Sequence, residues 1–154
     1  MAITTQGASY PLESFGPTPA LSQGTGGYQV GAGNLIEPLV IPQGAPAALT
    51  GATVTVTVGN LAAGIITVDP GSTSAGTYTF PTGALIDAAF PSMKVNSAFD
   101  VVVINLGDDN GNDVTFGAGA GNTIVGNAVV ADSATATFRF RKTGTSAFSI
   151  YRIG

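Results

Sequence analysis

The oxygen-rich run Asp108-Asp109-Asn110-Gly111-Asn112-Asp113 is where this sequence comes nearest to chemistry. Three carboxylates and two amides so close together suit a hard cation such as calcium. The spacing does not fit an EF-hand, because glycine follows Asp108 too early and no late glutamate closes the loop. Gly111-Asn112-Asp113 and Gly121-Asn122-Thr123 share the opening of a calcium β-roll unit, but the second lacks its aspartate. The run reads as a solvated turn, in which Asp, Asn and Gly are the expected residues. No metal is expected.

Other candidate chemistries fail on similar grounds. Gly117-Ala118-Gly119-Ala120-Gly121 is glycine-rich like a phosphate loop. It opens no helix and has neither the Walker lysine nor the acid of a dinucleotide fold, so it reads as a bulged β connection. Asp100, Asp108, Asp109 and Asp113 could supply the carboxylate pair of a glycosidase. Without tryptophan, however, the aromatic platform of a sugar cleft is thin. Ser92 and Lys94 lie two apart beside Pro91 and resemble a loop more than a catalytic dyad. Histidine and cysteine are both absent, which removes the Ser-His-Asp triad, thiol nucleophiles, imidazole and thiolate metal sites, and disulfides. No enzyme activity and no cofactor are expected.

The arginines remain. Arg139, Arg141 and Arg152 are three of only five basic residues, with Lys94 and Lys142. If the terminal strands pair, the three come close together and can clamp carboxylates across an interface, a task the planar guanidinium performs well. The competing reading is an exposed strand face kept soluble by charge.

Charged residues make up 9% of the 154, against about 25% in ordinary soluble domains. The net charge is −4, and every base lies at or beyond Lys94. A nucleic-acid binder needs a basic stripe, so this partner is not expected. With 44% hydrophobic residues the low charge does not signal disorder. It signals a neutral surface, and neutral surfaces associate. Met1-Ala2-Ile3-Thr4-Thr5-Gln6 resembles no secretory signal, and the apolar run Val101–Ile104 is far too short to span a membrane. The expectation is a soluble protein made in a cytoplasm, with no membrane partner.

The elements that must position these residues are mostly strands. Residues 1–33 read as an extended arm in which Gly, Pro, Ser, Thr and Gln dominate. Pro11, Pro17 and Pro19 forbid helix there, and apolar residues such as Tyr10, Phe15 and Tyr28 stand isolated. These three aromatics are candidate interface residues. Residues 34–154 then read as a single domain. Leu35–Ile41 is a strand interrupted by Pro38, and Ala52–Val58 alternates Thr and Val as a half-buried strand. Ile65–Asp69 and Gly76–Phe80 follow as strands. Thr82 can cap one short helix near 83–90, which Pro91 stops. Ala98–Leu106 is the strongest strand, and its Val-Val-Val-Ile run predicts burial on both faces. Val114–Phe116, Thr123–Val125 and Ala128–Val130 are short strands between glycines. The terminal hairpin turns at Lys142-Thr143-Gly144, which sets Phe138 opposite Phe148 and puts Phe138, Phe140, Phe148 and Ile150 on one face. The whole predicts an all-β fold: an antiparallel β-sandwich, jelly-roll-like, with an extended N-terminal arm.

Several of these segments also carry a resemblance. Phe99-Asp100-Val101-Val102-Val103-Ile104-Asn105, Ile124-Val125-Gly126-Asn127, Phe138-Arg139-Phe140-Arg141-Lys142-Thr143-Gly144 and the ending Ser149-Ile150-Tyr151-Arg152-Ile153-Gly154 occur in that order. From about Ala84 to Gly154, nearly half the chain, the sequence is similar to the C-terminal β domain of small virion proteins of tailed bacteriophages, in particular the capsid cement or decoration proteins of aquatic phages. The resemblance implies a non-enzymatic domain that forms a homotrimer. It further implies that the domain sits on the outer capsid surface of the virion and bridges neighbouring major capsid protein subunits. The alternative is a tail, fibre or adhesive carbohydrate-binding β module. That reading would gain if Tyr78 and Tyr151 were clustered and exposed.

Overall fold

From Ala47 onward the chain changes sheet at almost every strand. The computed structural model describes residues 21–24, 27–30, 43–71, 75–107 and 111–154. The chain divides into two compact units, Met1–Pro42 and Gln43–Gly154. In the first, β1 (Leu21–Gly24) and β2 (Gly27–Val30) form an antiparallel hairpin that pairs Leu21 with Val30 and Gly24 with Gly27. The expected break after residue 33 lies inside this unit. The expected strand Leu35–Ile41 lies outside the described residues.

The second unit holds two sheets. One has six strands, in the order β3 (Ala47–Thr50), β5 (Ile65–Asp69), β7 (Ala98–Asn105), β11 (Thr135–Gly144), β12 (Ala147–Arg152) and β9 (Asn122–Val125). The other has four, in the order β10 (Val129–Val130), β8 (Val114–Gly117), β6 (Gly76–Thr79) and β4 (Thr53–Thr55). From β3 to β8 each connection carries the chain into the facing sheet and the next carries it back. Successive strands within a sheet therefore point the same way. Among the described residues β3, β5 and β7 are parallel neighbours, as are β4, β6 and β8, and β9 runs parallel to β12. Among the described residues of this unit, β7–β11, β11–β12 and β8–β10 are the antiparallel pairs. The all-β, two-sheet expectation holds, but the antiparallel part of it does not. Alternation within a strand tells which residues face inward and is silent on which strand lies alongside.

Two further expectations change for identifiable reasons. The Thr/Val run from Ala52 to Val58 does not stay extended. It ends as β4, and α1 (Val58–Ala62) begins three residues later. Thr57 and Asn60 form a capping box in which the Asn60 N–H donates to Thr57 Oγ1 at 3.2 Å and the Thr57 N–H donates to Asn60 Oδ1 at 2.8 Å. Two otherwise orphaned donors are satisfied at once, and this outweighs the β preference of Val58. The one helix expected forms as α2 (Gly83–Ala89). Its cap is Thr82, whose Oγ1 accepts from the Leu85 N–H at 3.3 Å.

The terminal hairpin turns later than expected. Gly144 pairs with Ala147, so the turn is Thr145-Ser146, with Ser146 at φ 54°. Phe138 faces Arg152, Phe140 faces Ile150 and Lys142 faces Phe148. The shift from the expected register is an even number of residues, so the inward set is unchanged: Phe138, Phe140, Phe148 and Ile150 are all buried. Lys142 belongs to that inward set rather than to a loop. It is tolerated there because Nζ pairs with Asp87 Oδ1 of α2 and donates to Met93 O at 3.1 Å. The second oxygen of Asp87 accepts from the Ser146 N–H at 3.0 Å. One carboxylate thus ties α2 both to β11 and to the turn that follows it.

Those bonds, that of Lys142 above all, hold the Asp87 carboxyl below the usual carboxylate range. A depressed folded-state value contributes stability above the unfolded value of about 3.9 and loses it as pH falls through the folded one. Melting temperature followed from pH 7 downward is expected to hold level to about pH 5 and to drop below about pH 4. Asp87→Asn should melt lower at neutral pH, because Lys142 is left buried without its counter-charge, and should show a shallower acid limb. An unchanged acid limb would remove this pair from the account.

The core lies between the sheets. Ile66, Val68, Val101, Val103, Phe138 and Ile150 from the larger sheet meet Tyr78, Val114, Phe116 and Val130 from the smaller. Phe80, just past β6, is the hub. Its ring stacks on Phe116 at 4.7 Å and meets Phe138 and Phe140 edge-on at 5.4 and 5.1 Å. β7 is buried fully on its inner side only. Val101 and Val103 are 0% exposed, whereas Val102 and Ile104 are half-buried, so the expected two-sided burial is one-sided.

Asn105 is a polar side chain buried at the end of β7, 2% exposed. Its Nδ2 donates to the carbonyls of Asn112, Val130 and Ala131 at 2.8, 3.1 and 3.0 Å, and its Oδ1 accepts from the Gly107 N–H at 3.0 Å. It clamps the end of β7 to the approach to β8 and to the exit from β10. Asn105→Ala is expected to lower unfolding free energy by ~2–3 kcal/mol, because buried carbonyls and an N–H lose their partner. Urea denaturation measures it, and a loss near zero would show that water replaces the amide.

Candidate interaction surface

The outer face of the six-stranded sheet is where the neutral composition becomes geometry. The register sets Ile65 beside Val102, and Thr67 beside Ile104 beside Thr135. Next come the row Asp100, Arg139, Tyr151, Val125 and the row Ala98, Arg141, Ser149, Thr123. The face is a lattice of β-branched and hydroxyl side chains with charges at a few points only. Ile65, Val102, Ile104 and Tyr151 are half-buried, and Val125 is 46% exposed. The strand run that suggested complete burial therefore supplies this surface as its second side.

Its charges are largely satisfied. Arg139 Nε and Nη2 donate to Asp100 Oδ1 and Oδ2, each at 2.7 Å, in a two-pronged pair across β11 and β7. The guanidinium hydrogen bonds hold the Asp100 carboxyl below its usual range, and Asp100 raises Arg139 in turn. Arg141 donates to Asn96 Oδ1. Arg139 is thus engaged within its own chain rather than left free to seek an acidic partner.

The expected arginine cluster does not assemble. Residues directly opposite in an antiparallel pair share a face. Arg152 stands opposite Phe138, while Arg139 stands opposite Tyr151. Arg152 therefore lies on the reverse side from Arg139 and Arg141. There it donates to Val129 O in the smaller sheet and to Gly154 O, the latter at 3.2 Å, and so closes the end of the sandwich. Alternation alone decides the side, because Arg152 follows Phe148 and Ile150 at period two and the even shift of register leaves it on their face. Of the aromatic candidates, Tyr28 lies in β2 opposite Gln23, and Tyr10 and Phe15 lie outside the described residues.

The other motifs find structural roles. Asp108, Asp109 and Asn110 lie outside the described residues. Of the remainder of that run, Asn112 is buried and Asp113 Oδ1 accepts from the Asp132 N–H at 3.2 Å. Among the described residues no group of three or more potential metal-ligating side chains forms. The Gly117–Gly121 run is a backbone crossing. A side chain at Gly119 would meet the carbonyl oxygens of Phe80 and Pro81 at 2.4 and 2.5 Å, and the Gly83 N–H donates to Ala120 O at 2.8 Å. Tyr78 is 0% exposed, with its hydroxyl donating to Gly51 O at 2.9 Å, so it forms no sugar platform with Tyr151. No helix among the described residues is long and apolar enough to cross a membrane.

A feature that sequence reasoning missed is a cavity of about 430 Å³ where β4, β6 and β8 end. Val56 and Phe80 line it together with Pro81, Leu85 and Ala118, and no carboxylate is among its lining residues. Its one sequence signal is the spacing of Thr57 and Asn60, which ends β4 and starts the α1 wall. No family model, curated protein or solved structure matches this chain.

Proposed function

We propose that this chain is a non-enzymatic virion structural protein. In this reading it binds the outside of a tailed-phage capsid, as a homotrimer, and stabilises the shell by bridging neighbouring major capsid subunits. The observation that carries the reading is the outer face of the six-stranded sheet: broad, β-branched, hydroxyl-rich and almost without unpaired charge. A face of this kind gains by being covered, because its aliphatic groups leave water while few ions must be desolvated. The ordered set of segments between Ala84 and Gly154 that resembles phage cement proteins includes β7, β9, β11 and β12, the strands that build most of this face.

The mechanism is mass action. A protein that binds only the assembled shell adds its binding free energy to the work of disassembly, by an amount that rises with its concentration. The test is co-sedimentation with empty shells of the phage that encodes the chain, with the protein's own mass followed by analytical ultracentrifugation. The expected result is a trimer that pellets with shells and raises their disruption temperature. A monomer that stays in the supernatant and leaves that temperature unchanged would overturn the reading. Binding to a glycan array but not to shells would favour an adhesive module instead.

A further inference from the structure

The charges of Gln43–Gly154 are sorted to the two ends of its strands. Among the described residues two ion pairs form, Asp87 with Lys142 and Asp100 with Arg139. Arg152 is engaged by carbonyl oxygens at the level of Val101, partway along β7. Arg141 stands opposite Ala98, where β7 begins, and its side chain donates to the neutral amide of Asn96. Lys94 and Val95 belong to the exposed turn that leads into that strand, where the Ser97 N–H donates to Lys94 O at 2.9 Å. The acids gather at the other end. Val68 is level with Asn105, where β7 stops, and the Leu106 N–H donates to Val68 O at 2.8 Å, so Asp69 and Leu106 share one level. The Asp132 N–H donates to Asp113 Oδ1 at 3.2 Å, and the Ser133 N–H to Gly107 O at 2.8 Å, which brings two more carboxylates there. Asp69, Asp113 and Asp132 take no basic partner among the described residues.

The two ends cannot serve one another within a chain. β7 has eight residues, so its ends stand ~23 Å apart at the usual rise per residue. Salt screens exposed charges beyond about 8 Å at physiological ionic strength. Each end therefore keeps an uncompensated field of one sign. Each also exposes one large aliphatic side chain among its charges, Val95 at 54% at the basic end and Leu106 at 56% at the acidic end. Opposite fields around matching apolar points are complementary, end against end.

We propose that the two ends of this sandwich are the two halves of one self-contact. The basic end, Lys94, Val95 and Arg141, receives the acidic end of a second copy, with its Asp69, Leu106 and Asp132. Val95 and Leu106 leave water together while the cations meet carboxylates around them. An unrelated acidic partner would satisfy the basic end and leave the acidic end unmatched, whereas a second copy answers both. The contact joins unlike surfaces, so its repetition closes into a ring or runs on as a filament. It goes beyond the capsid reading and needs no shell, and a closed ring is the form a homotrimer takes.

The test is sedimentation velocity of the full chain in about 0.02 M and about 0.5 M sodium chloride. The expected result is association that grows past the dimer with concentration and weakens about tenfold or more in the higher salt. Lys94→Glu combined with Arg141→Glu reverses the basic end, and Asp132→Lys alters the acidic end. Each variant by itself should associate about tenfold or more weakly than the parent. Their equimolar mixture should associate again, because each supplies the end the other has lost. If the double variant fails to fold by circular dichroism, Lys94→Gln with Arg141→Gln takes its place. An oligomer that follows the charges yet leaves shells unbound would keep this contact and remove the capsid reading. A parent that stays monomeric in low salt would overturn the proposal, as would an oligomer indifferent to salt and to both variants. A dimer that does not grow with concentration, or loss on the basic-end variant alone, would overturn it too.

Discussion

Gly119→Ala is expected to cost more than the ~1–3 kcal/mol of ordinary overpacking, while Gly117→Ala, two residues earlier, changes stability by less than about 0.5 kcal/mol. The two substitutions are chemically identical and sit in one Gly-Ala-Gly-Ala-Gly run. They differ in what the added methyl would meet. At Gly117 the nearest atom is Thr79 Oγ1 at 3.5 Å, an ordinary contact with a side chain. At Gly119 the carbonyl oxygens of Phe80 and Pro81 stand at 2.4 and 2.5 Å. Backbone cannot swing aside as a side chain can, so the whole loop must move. That loop also carries Gly121, at φ 85° and in close approach to Ser146 O, and it accepts from the N–H groups of Phe80 and Gly83. Movement therefore breaks the seam between β6, α2 and β8. Urea midpoints at constant m measure both variants. Equal, small losses would mean that the loop is slack and that these glycines serve something other than close packing.

Phe80→Ala is expected to cost about 3–5 kcal/mol, the range for a fully buried ring. Phe80 is 1% exposed and touches rings from both sheets, Phe116 on one side and Phe138 and Phe140 on the other. Truncation leaves a void that neither sheet can close without giving up its pairing register. Phe80→Leu keeps most of the volume and should lose only part of this. Leu85→Ala is the control, since at 57% exposure it should shift stability by no more than about 0.5 kcal/mol. A Phe80→Ala loss below about 1 kcal/mol would show that the two sheets hold together without this hub.

Much of the fold is legible in the sequence because local rules and tertiary packing agree there. The alternation in Gly76–Phe80 and in Ala134–Arg141 identifies the inward residues, and Tyr78, Phe80, Phe138 and Phe140 are buried as that pattern demands. Thr82 and Pro91 bracket α2 because a cap and a break are local chemistry. Thr57 and Asn60 carry an equally local signal, which the stronger Thr/Val alternation around them conceals. Lys142 misleads for the opposite reason. A lysine beside Thr and Gly reads as a turn, and only Asp87, far away in sequence on α2, makes its burial possible.

The interaction surface is less legible than the core. A Val-Val-Val-Ile run is the same sequence whether its second face meets protein or water, and in β7 that face is left half-open. The grouping of Arg139 with Arg141 follows from alternation alone. The same alternation sets Arg152 on the other side, with Phe148 and Ile150, and only its bond to Val129 O needs the tertiary structure.

By itself the sequence determined that the protein is β-rich, that its surface is nearly neutral, and that it lacks histidine and cysteine chemistry. It also determined which side chains of each strand point inward. These are properties of composition and of period two, and they need no knowledge of neighbours. Only the tertiary structure decided that β3 to β8 shuttle between two sheets and so pair in parallel, that Arg152 reaches Val129 O in the facing sheet, and that β4 ends beside a cavity. Each of these depends on which distant segments lie side by side. The short strands of this chain, separated by similar glycine-rich turns, have many pairings that satisfy the local pattern equally well. The choice among them falls to the packing of Phe80 and its neighbours, to the Asn105 clamp and to the Asp87–Lys142 pair.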